Sequence, residues 1–379
     1  MSSSPARACI RWPQSTCELV TGSLSRLLEL DHIVETVSDS FSAQVLFRDS
    51  SVPLAKLDPV RDFFADRAPL HEFEIPGGEA CKSPESWSGL LENLAQVKLD
   101  RGGLIIVAGG GALGDAAGFA ASVWHRGVPW IAIPTTLLAM VDAHVGGKTA
   151  IQYDGIKNRI GSFHLPRAVL ADPGFLDSLP LQQRSQGWAE LIKAAWIGAP
   201  ELLMELESDP DSIAADLIPT GQQIGAAVAV KVDIVAADPF EAGPREFLNL
   251  GHTLAHALEV SVTPRPLHGD AVSIGMVFAG ALSEALGIAE AGTAARIGRL
   301  LERVGLPVNW PGLPVEAVLS ALVADKKVRS GRQRWILPCK PGEMVVEEVP
   351  QQLVERLLRS PPADLSLDSA TSSWSRDEH

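Results

Sequence analysis

The hydrophobic positions of this 379-residue chain change their spacing about halfway along it. In the first half, short apolar runs at 45–47, 104–108 and 130–134 are separated by longer stretches that are compatible with helices. Short aliphatic or β-branched runs of this kind predict buried strands. Their alternation with helices predicts an α/β domain with a parallel sheet.

From about Leu181 onward, Ala- and Leu-rich segments such as AELIKAAW and FLNLGHTLAHALEV recur with helical period, which predicts an all-α second domain. The last residues are rich in Ser, Pro and Asp and have little to bury. We therefore predict four regions, namely an N-terminal extension (1–40), a nucleotide-binding α/β domain (41–180), a helical domain (181–359) and a disordered tail (360–379).

Composition excludes several classes of protein. Hydrophobic residues at 46% and charged residues at 21% are typical of a globular domain, and no apolar run is long enough to span a membrane. A formal net charge of −14 argues against nucleic acid or an anionic membrane as a partner. The four cysteines show no paired CxxC spacing, so we expect a reducing, cytoplasmic setting.

A glycine-rich loop, GGGALGD, follows the apolar run at 104–108. Gly109, Gly111 and Gly114 have the G-x-G-x-x-G spacing that lets a backbone approach a pyrophosphate at a helix start. The acid that usually follows about twenty residues later is missing, because that stretch reads VPWIAIP. A tight turn that needs glycines only for packing therefore stays open as the alternative.

Further elements that suit a phosphate follow at once. PTT (134–136) lies at the end of the next predicted strand, and the loop GGKT (146–149) places Lys148 among glycines. Asp142 stands where a Walker A motif needs glycine, so a P-loop NTPase is disfavoured. Together these elements favour a nucleotide-binding domain of another kind.

Three histidines and one carboxylate suggest a metal site in the second half. His252 and His256 lie four residues apart on a predicted helix and share a face, and His268 follows at the next loop-to-helix junction. Glu190 lies among apolar residues, where a carboxylate is costly unless a cation compensates it. One glutamate and two neutral imidazoles are a normal catalytic Zn²⁺ site, although this reasoning leaves open which of His252 and His256 is the second imidazole.

Basic and amide side chains surround these residues in the sequence. Arg245, Asn249 and His252 are spaced so that they share one helical face, and two lysines, Lys193 and Lys231, lie in neighbouring helical segments. This indicates a cationic pocket beside the metal. Ordinary surface ion pairs are the alternative explanation for such charges.

The motifs taken together resemble the 3-dehydroquinate synthase family. In order, between about residues 45 and 358, the chain contains GGGALGD, RGVPW, PTTLLAMVD, GGKT, KNRIG, AELIK, KVDIVAAD, EAGPREFLNLGHTLAHA, LHGDAV and DKK. The resemblance implies a Rossmann-like α/β nucleotide-binding domain, an all-α C-terminal metal-binding domain and, usually, a homodimer.

The resemblance also assigns roles to residues. It implies that Glu190, His252 and His268 bind a divalent metal, Zn or Co, and that His256 is an acid/base residue that faces the substrate. The implied substrate contacts are Asp142, Lys148, Asn158, Lys193, Lys231, Arg245, Asn249 and Lys327, with Glu241 near the metal and Arg126 reaching the phosphate pocket of a neighbouring subunit. The implied NAD contacts are Asp49, Glu79, Lys82, Gly110, Gly111, Asp115, Thr135, Thr136, Asp142, Lys148, Lys157 and Phe175.

The implied reaction accounts for the many cations of an acidic protein, because its substrate is an anionic seven-carbon sugar phosphate. 3-Deoxy-D-arabino-heptulosonate 7-phosphate is converted to 3-dehydroquinate and phosphate, in the shikimate pathway to chorismate and the aromatic amino acids. The steps are transient oxidation by NAD, phosphate elimination, re-reduction and intramolecular aldol closure. Orientation and charge stabilisation by the cationic pocket contribute to the rate.

Four positions depart from the usual family pattern. Ala143 and His144 replace two serines, Gln152 replaces an asparagine, and Gly77 replaces an acid. These departures keep open another sugar-phosphate cyclase that acts on sedoheptulose 7-phosphate, although Asn249 and His256 favour the dehydroquinate reaction. A metal-dependent polyol dehydrogenase has no use for so many phosphate-binding cations, and a catalytically dead NAD-binding scaffold has no use for intact metal ligands.

Overall fold

The fold is described from a computed structural model of the chain, for residues 5–12, 15–37, 41–241, 243–310, 312–324, 328–329 and 332–360. The first strands and helices are β1 (Ala6–Trp12), β2 (Ser15–Thr21), α1 (Leu24–Leu27), α2 (Asp31–Val37), β3 (Gln44–Asp49), α3 (Asp58–Ala65), β4 (Leu70–Ile75), α4 (Pro84–Gln96), β5 (Leu104–Gly109), α5 (Gly111–Val123), β6 (Trp130–Pro134), β7 (Lys148–Tyr153), β8 (Ile156–Phe163) and β9 (Ala168–Ala171). The remaining ones are α6 (Leu181–Gly198), α7 (Pro200–Ser208), α8 (Gly221–Ala237), α9 (His252–Ser261), α10 (His268–Ala285), α11 (Thr293–Arg303), α12 (Val315–Ala324), β10 (Val328–Arg329), β11 (Arg332–Lys340), β12 (Glu343–Pro350) and α13 (Gln351–Arg359).

The chain divides into two compact units. The first unit contains Met1–Arg184 together with Ile218–Pro239, and the second contains Ser185–Leu217 together with Phe240–His379. An α/β unit and a mainly helical unit confirm the predicted fold class. The single predicted boundary at 180 differs from this division, because α8 packs against β1 and β2 and so belongs to the first unit.

The first unit is built on a seven-stranded sheet in the order β1-β2-β9-β6-β5-β3-β4. All neighbouring strands are parallel except the β1–β2 hairpin. Every residue of β5, β6 and β9 is buried, as expected for the central strands of a sheet that is covered on both faces. The apolar runs at 45–47, 104–108 and 130–134 form β3, β5 and β6, as predicted.

The described part of the predicted N-terminal extension is integral to this sheet. β2 pairs in parallel with β9, and β1 pairs with β2 along its whole length. The chain before the first predicted strand therefore completes the sheet. Within β1, Ile10 is buried whereas Arg7 and Arg11 are exposed, which leaves too little alternation to identify the strand from its period.

The strand order places a topological switch point between β3 and β5. The chain passes from β3 outward to β4, and then returns to the other side of β3 to form β5, β6 and β9. In open parallel sheets, ligands bind outside the carboxyl ends of the strands at such a switch point. Those ends are Asp49 and Gly109.

The helices α6 and α10 form the buried core of the second unit. From Ser185 to Ile197, every residue of α6 is buried, and α10 packs against α9, α11 and β11. Phe278 of α10 contacts two buried tryptophans, Trp310 at 5.1 Å and Trp335 at 5.5 Å between ring centroids. A three-stranded antiparallel sheet, β10-β11-β12, supplements the predicted helices in this unit.

The segment 244–261 is not the continuous helix that its period predicts. Pro244–Asn249 forms a 3₁₀ turn, and Gly251 then adopts a left-handed conformation (φ +79°) before α9 begins at His252. An ideal Cβ on Gly251 would lie 2.8 Å from the amide nitrogen of Met276, so only glycine fits between these two helices. The break separates Arg245 and Asn249 from the regular helix that carries His252.

Candidate active site

Glu190, His252 and His268 meet within the second unit. One ligand atom from each residue lies within 4.8 Å of the others. Oε1 of Glu190 is 3.2 Å from Nε2 of His268 and 3.5 Å from Nε2 of His252. A glutamate and two imidazoles that point at one position are the donor set of a catalytic zinc site, so these residues fit a divalent metal.

The electrostatics of Glu190 also suit a cation. Burial by itself raises the pKa of Glu190, but Lys193 and the two imidazoles outweigh it and hold the pKa well below its usual range. The Nζ atom of Lys193 forms an ion pair with Oε2 of Glu190, and both side chains are buried. Oε2 makes no hydrogen bond of good geometry among the described residues. This buried anion is thus ready to bind positive charge.

The two imidazoles differ in their surroundings. Burial and the nearby charge of Lys193 lower the pKa of His252 to about 3, so His252 is neutral at physiological pH. His268 is half-buried, and this desolvation lowers its pKa, but hydrogen bonds with Glu190 and Glu259 outweigh it and raise the pKa to about 9. A metal must replace that proton on His268, because a metal ligand needs a free nitrogen lone pair.

The outward nitrogen of each imidazole has a hydrogen-bond acceptor. Nδ1 of His252 lies 3.2 Å from the carbonyl oxygen of Leu250, and Nδ1 of His268 lies 3.0 Å from Oε1 of Glu259. These contacts place the proton on Nδ1 and leave Nε2 free to bind a metal. Glu259 was missed from the sequence, although its place seven residues after His252 on one helix is a signal that could have found it.

His256 lies beside this cluster. Its ring is 5.5 Å from that of His252 in an edge-on arrangement, and the residue is exposed. One helical turn therefore separates the imidazole that faces Glu190 from an imidazole that reaches solvent. The geometry resolves the choice that helical spacing left open, since His252 and not His256 lies near Glu190.

The other predicted residues of the second unit are placed as follows. Arg245 is buried, with 3% of its surface exposed, in the 3₁₀ turn before α9. Asn249 closes that turn, and its Nδ2 donates to Oε1 of Glu241 over 3.1 Å. Glu241 is exposed and has a left-handed φ of +61°. Lys327 lies outside the described residues.

In the first unit, the glycine loop and Asp49 meet at the switch point. Gly110 is the N-cap of α5, so the free N–H groups of its first turn lie at the end of β5. An ideal Cβ on Gly109 would be 3.3 Å from Cβ of Asp49. Asp49 is buried and accepts hydrogen bonds from the amide (2.9 Å) and hydroxyl (2.7 Å) of Ser51. The free N–H groups at the helix start suit the pyrophosphate of a nucleotide, and the carboxylate of Asp49 lies beside that position.

A cluster of polar side chains around the buried Lys82 includes Asp115 of the same helix, α5. Nζ of Lys82 is 2.6 Å from Oδ2 of Asp115 and also contacts Oδ1 of Asn158, and 3% of Lys82 is exposed. Burial raises the pKa of Asp115 to about 6, and Lys82 offsets part of that effect. Three predicted residues from a 3₁₀ turn, a helix and a strand are therefore joined.

A second ion pair joins α8 to this unit. Nζ of Lys231 is 2.5 Å from Oδ1 and 2.6 Å from the carbonyl oxygen of Asp142, which lies in a π turn at Ala139–Ala143. The packing of α8 in the first unit explains how Lys231, predicted in the helical domain, reaches Asp142.

The remaining predicted residues of the first unit vary in exposure. Thr135 and Phe175 are buried, Thr136, Lys157 and Gly111 are half-buried, and Glu79, Lys148 and Arg126 are exposed. Lys148 begins β7 directly after the two glycines of GGKT, both of which have positive φ. Arg126 also has a positive φ, +67°, in a 3₁₀ turn after α5.

The departures Ala143 and His144 pack against the glycine loop. An ideal Cβ on Gly111 would be 2.7 Å from Cβ of Ala143, and one on Gly114 would be 1.9 Å from Nε2 of His144. Burial lowers the pKa of His144 to about 4, against a smaller opposing effect of the Gly110 backbone. Packing therefore requires glycine at positions 111 and 114, and this requirement does not conflict with nucleotide binding at the same loop.

Gly77, one of the four positions that depart from the family pattern, faces Asp49. An ideal Cβ at position 77 would lie 2.3 Å from Oδ2 of Asp49. An acid at this position would meet the buried carboxylate of Asp49 directly. In this chain glycine is the residue that fits there.

Comparison with protein families gives two adjoining matches. The 3-dehydroquinate synthase N-terminal family matches residues 72–186, and the 3-dehydroquinate synthase C-terminal family matches residues 187–328. The chain is 41% identical over 323 residues to a 3-dehydroquinate synthase from Mycolicibacterium vanbaalenii, and the alignment covers 83% of this chain and 89% of the relative.

Solved structures show the same architecture. A 2-deoxy-scyllo-inosose synthase complexed with carbaglucose-6-phosphate, NAD⁺ and Co²⁺ has a TM-score of 0.81 at 23% identity, over 93% of this chain and 99% of that chain. The 2-epi-5-epi-valiolone synthase from Streptomyces hygroscopicus subsp. jinggangensis, with NAD⁺ and Zn²⁺ bound, has a TM-score of 0.81 at 27% identity, over 92% of this chain and 97% of that chain.

Proposed function

The chain belongs to the 3-dehydroquinate synthase family, and from this premise we propose that it converts 3-deoxy-D-arabino-heptulosonate 7-phosphate to 3-dehydroquinate and phosphate. The observation that carries the proposal is the 41% identity to a 3-dehydroquinate synthase over 89% of that relative. The cluster of Glu190, His252 and His268 supports it, because one glutamate and two imidazoles are the donor set of a catalytic metal site. As a phosphate-eliminating reaction, this is carbon–oxygen lyase chemistry.

We assign the metal to residues of the second unit and NAD to residues of the first. We assign the divalent metal, Zn²⁺ or Co²⁺, to Glu190, His252 and His268, and NAD to the glycine loop, Asp49 and the Lys82–Asp115 cluster of the first unit. When bound, the metal polarises the hydroxyl that reacts, and NAD takes up and returns its hydride.

The chain's own side chains bind and orient the substrate. Arg245 and Lys193 are buried cations of the second unit, and they suit the carboxylate and phosphate of the substrate. Lys148 and Lys231 offer the same charge in the first unit. Such fixed cations stabilise the charge that develops as phosphate leaves, and they hold a flexible sugar phosphate in a reactive conformation.

His256 is the proposed acid/base residue. It lies one helical turn from the metal ligand His252, and it is exposed, so a substrate at the metal can reach it. An imidazole is suited to move protons near neutral pH. Asn249 and Glu241, joined by a hydrogen bond, are proposed to orient substrate hydroxyls near the metal.

The proposal extends to the assembly and the setting of the enzyme. We propose a homodimer in which Arg126, exposed on its 3₁₀ turn, contacts the phosphate bound by the neighbouring subunit. We also propose a cytoplasmic enzyme of the shikimate pathway. Within the described residues, no helix is both long enough and apolar enough to cross a bilayer.

Turnover of defined substrates tests the function. Purified enzyme with NAD⁺ and Co²⁺ or Zn²⁺ is incubated separately with 3-deoxy-D-arabino-heptulosonate 7-phosphate and with sedoheptulose 7-phosphate, and released phosphate and carbocyclic product are measured. We expect turnover of the first substrate only, and its loss after treatment with a chelator. Turnover of sedoheptulose 7-phosphate alone would assign the chain to another cyclase reaction instead.

Site variants connect that activity to the proposed residues. Glu190→Gln removes the charge of the metal ligand, so we expect it to lower metal content and kcat together. His256→Gln leaves the metal ligands in place, so we expect retained metal and a kcat reduced about 10²–10⁴-fold. Full activity of Glu190→Gln without bound metal would contradict the site assignment.

A further inference from the structure

The carboxylate of Glu259 has a position that none of the assigned roles explains. Glu259 lies on α9, seven residues after His252, and 8% of the residue is exposed. Its Oε1 accepts from Nδ1 of His268 over 3.0 Å, and its Oε2 accepts from Nη2 of Arg265 over 2.5 Å. A nearly buried carboxylate therefore links the last turns of α9 to the first residue of α10.

Glu259 is on the opposite side of the His268 ring from Glu190. Glu190 faces Nε2 and Glu259 faces Nδ1, and these two nitrogens of an imidazole point in divergent directions. An ion held by Glu190 and Nε2 of His268 is thus separated from Glu259 by the ring itself. Glu259 acts through His268 and does not belong to the ligand set.

We propose that Glu259 is the positioning residue of the metal centre, and that Arg265 keeps it in place. This inference rests on the metal site proposed above. An anionic acceptor at Nδ1 fixes the tautomer and the ring plane of His268, and it makes Nε2 a stronger donor to the metal. Among the described residues, the partner of His252 in the equivalent place is the neutral carbonyl of Leu250.

Arg265 and Glu259 differ in exposure, and this difference separates their roles. The side chain of Arg265 is 47% exposed, whereas that of Glu259 is 7% exposed. The guanidinium therefore contributes a partly screened charge that holds the carboxylate in place through a charge-assisted hydrogen bond. Loss of Glu259 must affect the metal more than loss of Arg265, because only Glu259 touches the ligand.

Metal affinity is the readout that tests this role. Full-length wild type and Glu259→Gln are stripped of metal, and the dissociation constant for Co²⁺ is measured by competition with a chelator, together with the visible Co²⁺ absorption spectrum. We expect Glu259→Gln to bind Co²⁺ about 10–100-fold more weakly and to shift the absorption bands. Glu259→Asp, which keeps the charge, is expected to recover part of the affinity.

A matched variant controls for a merely structural role. Oε1 of Glu284 accepts from the amide of Ala294 over 2.6 Å in the same unit, so Glu284→Gln also weakens a hydrogen bond of a glutamate. We expect Glu284→Gln to leave the Co²⁺ affinity and spectrum unchanged. Co²⁺ affinity of Glu259→Gln within twofold of wild type, or an equal loss in Glu284→Gln, would overturn the proposal.

Two further measurements keep the test decisive. If Glu259→Gln does not fold, Arg265→Gln replaces it, and a loss of Co²⁺ affinity of several-fold is expected; no loss would overturn the proposal. The assays need no substrate, so a wild type that binds Co²⁺ but does not turn over the sugar phosphate refutes the proposed function alone. Normal wild-type turnover with an unaffected Glu259→Gln refutes the role of Glu259 alone.

Discussion

At the scale of single residues, the most informative contact is the one between His144 and Gly114. His144 has 3% of its surface exposed, and neither ring nitrogen has a hydrogen bond of good geometry among the described residues. Its Nε2 lies against the place where any side chain at position 114 would begin. The two positions are therefore coupled, and each restricts what the other can be.

Gly114→Ala is expected to destabilise the protein through this contact. A new Cβ would lie 1.9 Å from Nε2 of a buried ring that has little room to move, and overpacking of this kind costs about 1–3 kcal/mol. His144→Ser should remove the clash and restore stability in the double variant, as measured by urea unfolding. Gly89→Ala on α4 is the control, because nothing lies within 4 Å of its ideal Cβ.

His144 also predicts a dependence of stability on pH. The pKa of His144 is about 4 in the folded chain and 6.5 for an ordinary exposed histidine, so the unfolded chain binds more protons between these pH values. The contribution of neutral His144 is present above pH 6.5 and is lost as pH falls toward 4. We expect His144→Ser to reduce the loss of unfolding free energy between pH 7 and pH 5 by about 2 kcal/mol. Parallel pH profiles of the two proteins would contradict this.

At the scale of elements, α9 and α10 are close enough to place the metal ligands because two glycines meet. An ideal Cβ on Gly275 would be 2.0 Å from the carbonyl oxygen of Gly251, and Gly251 directly precedes His252. Both imidazole ligands lie at helix starts, His252 on α9 and His268 on α10. The spacing of these two helices therefore sets the distance of each imidazole from Glu190 on α6.

Gly275→Ala is expected to move α9 and weaken metal binding. The clash is with backbone, so the helices must separate, and we expect a loss of about 1–3 kcal/mol in stability. Co²⁺ affinity should fall as His252 moves away from Glu190, which chelator competition measures. A variant with unchanged Co²⁺ affinity would show that the glycine contact does not position the ligands, and Gly89→Ala again serves as the control.

At the scale of the whole molecule, the buried basic residues of the described part of this acidic chain lie at the predicted sites. The chain has 46 acidic and 32 basic residues, yet Lys82, Lys193 and Arg245 are each only 3% exposed. Lys82 and Lys193 are paired with the carboxylates of Asp115 and Glu190. An anionic ligand of an acidic protein needs local cationic pockets, and the buried cations of each unit agree with that.

Removal of the first 21 residues tests how the sheet of the first unit is completed. Without β1 and β2, the edge of β9 and the surface of α8 that packs against the hairpin would be exposed, so we expect an aggregated or unfolded product. Removal of residues 361–379, which lie within the predicted tail (360–379), is the control and should leave turnover unchanged. A soluble, native-like protein without β1 and β2, as judged by circular dichroism, would contradict the expectation.

The sequence alone determined the class of the fold and the chemical types of the site. The spacing of apolar residues predicted β3, β5, β6 and the helical character of the second unit, because the buried side of a strand or helix requires apolar residues at regular intervals. The motifs predicted Glu190, His252 and His268 as metal ligands. Lys327 belongs to the same resemblance, and it stays a prediction because it lies outside the described residues.

Only the tertiary structure decided the contacts that depend on how distant segments pack. The placement of α8 with the first unit, the β1–β2 hairpin in the sheet, the break at Gly251 and the contact of Glu259 with His268 are all of this kind. The spacing of apolar residues within a strand or helix indicates which side of it is buried, but it does not indicate which other element packs against that side. Hydrogen bonds such as that of Glu259 form between residues whose neighbourhood exists only after the helices have packed.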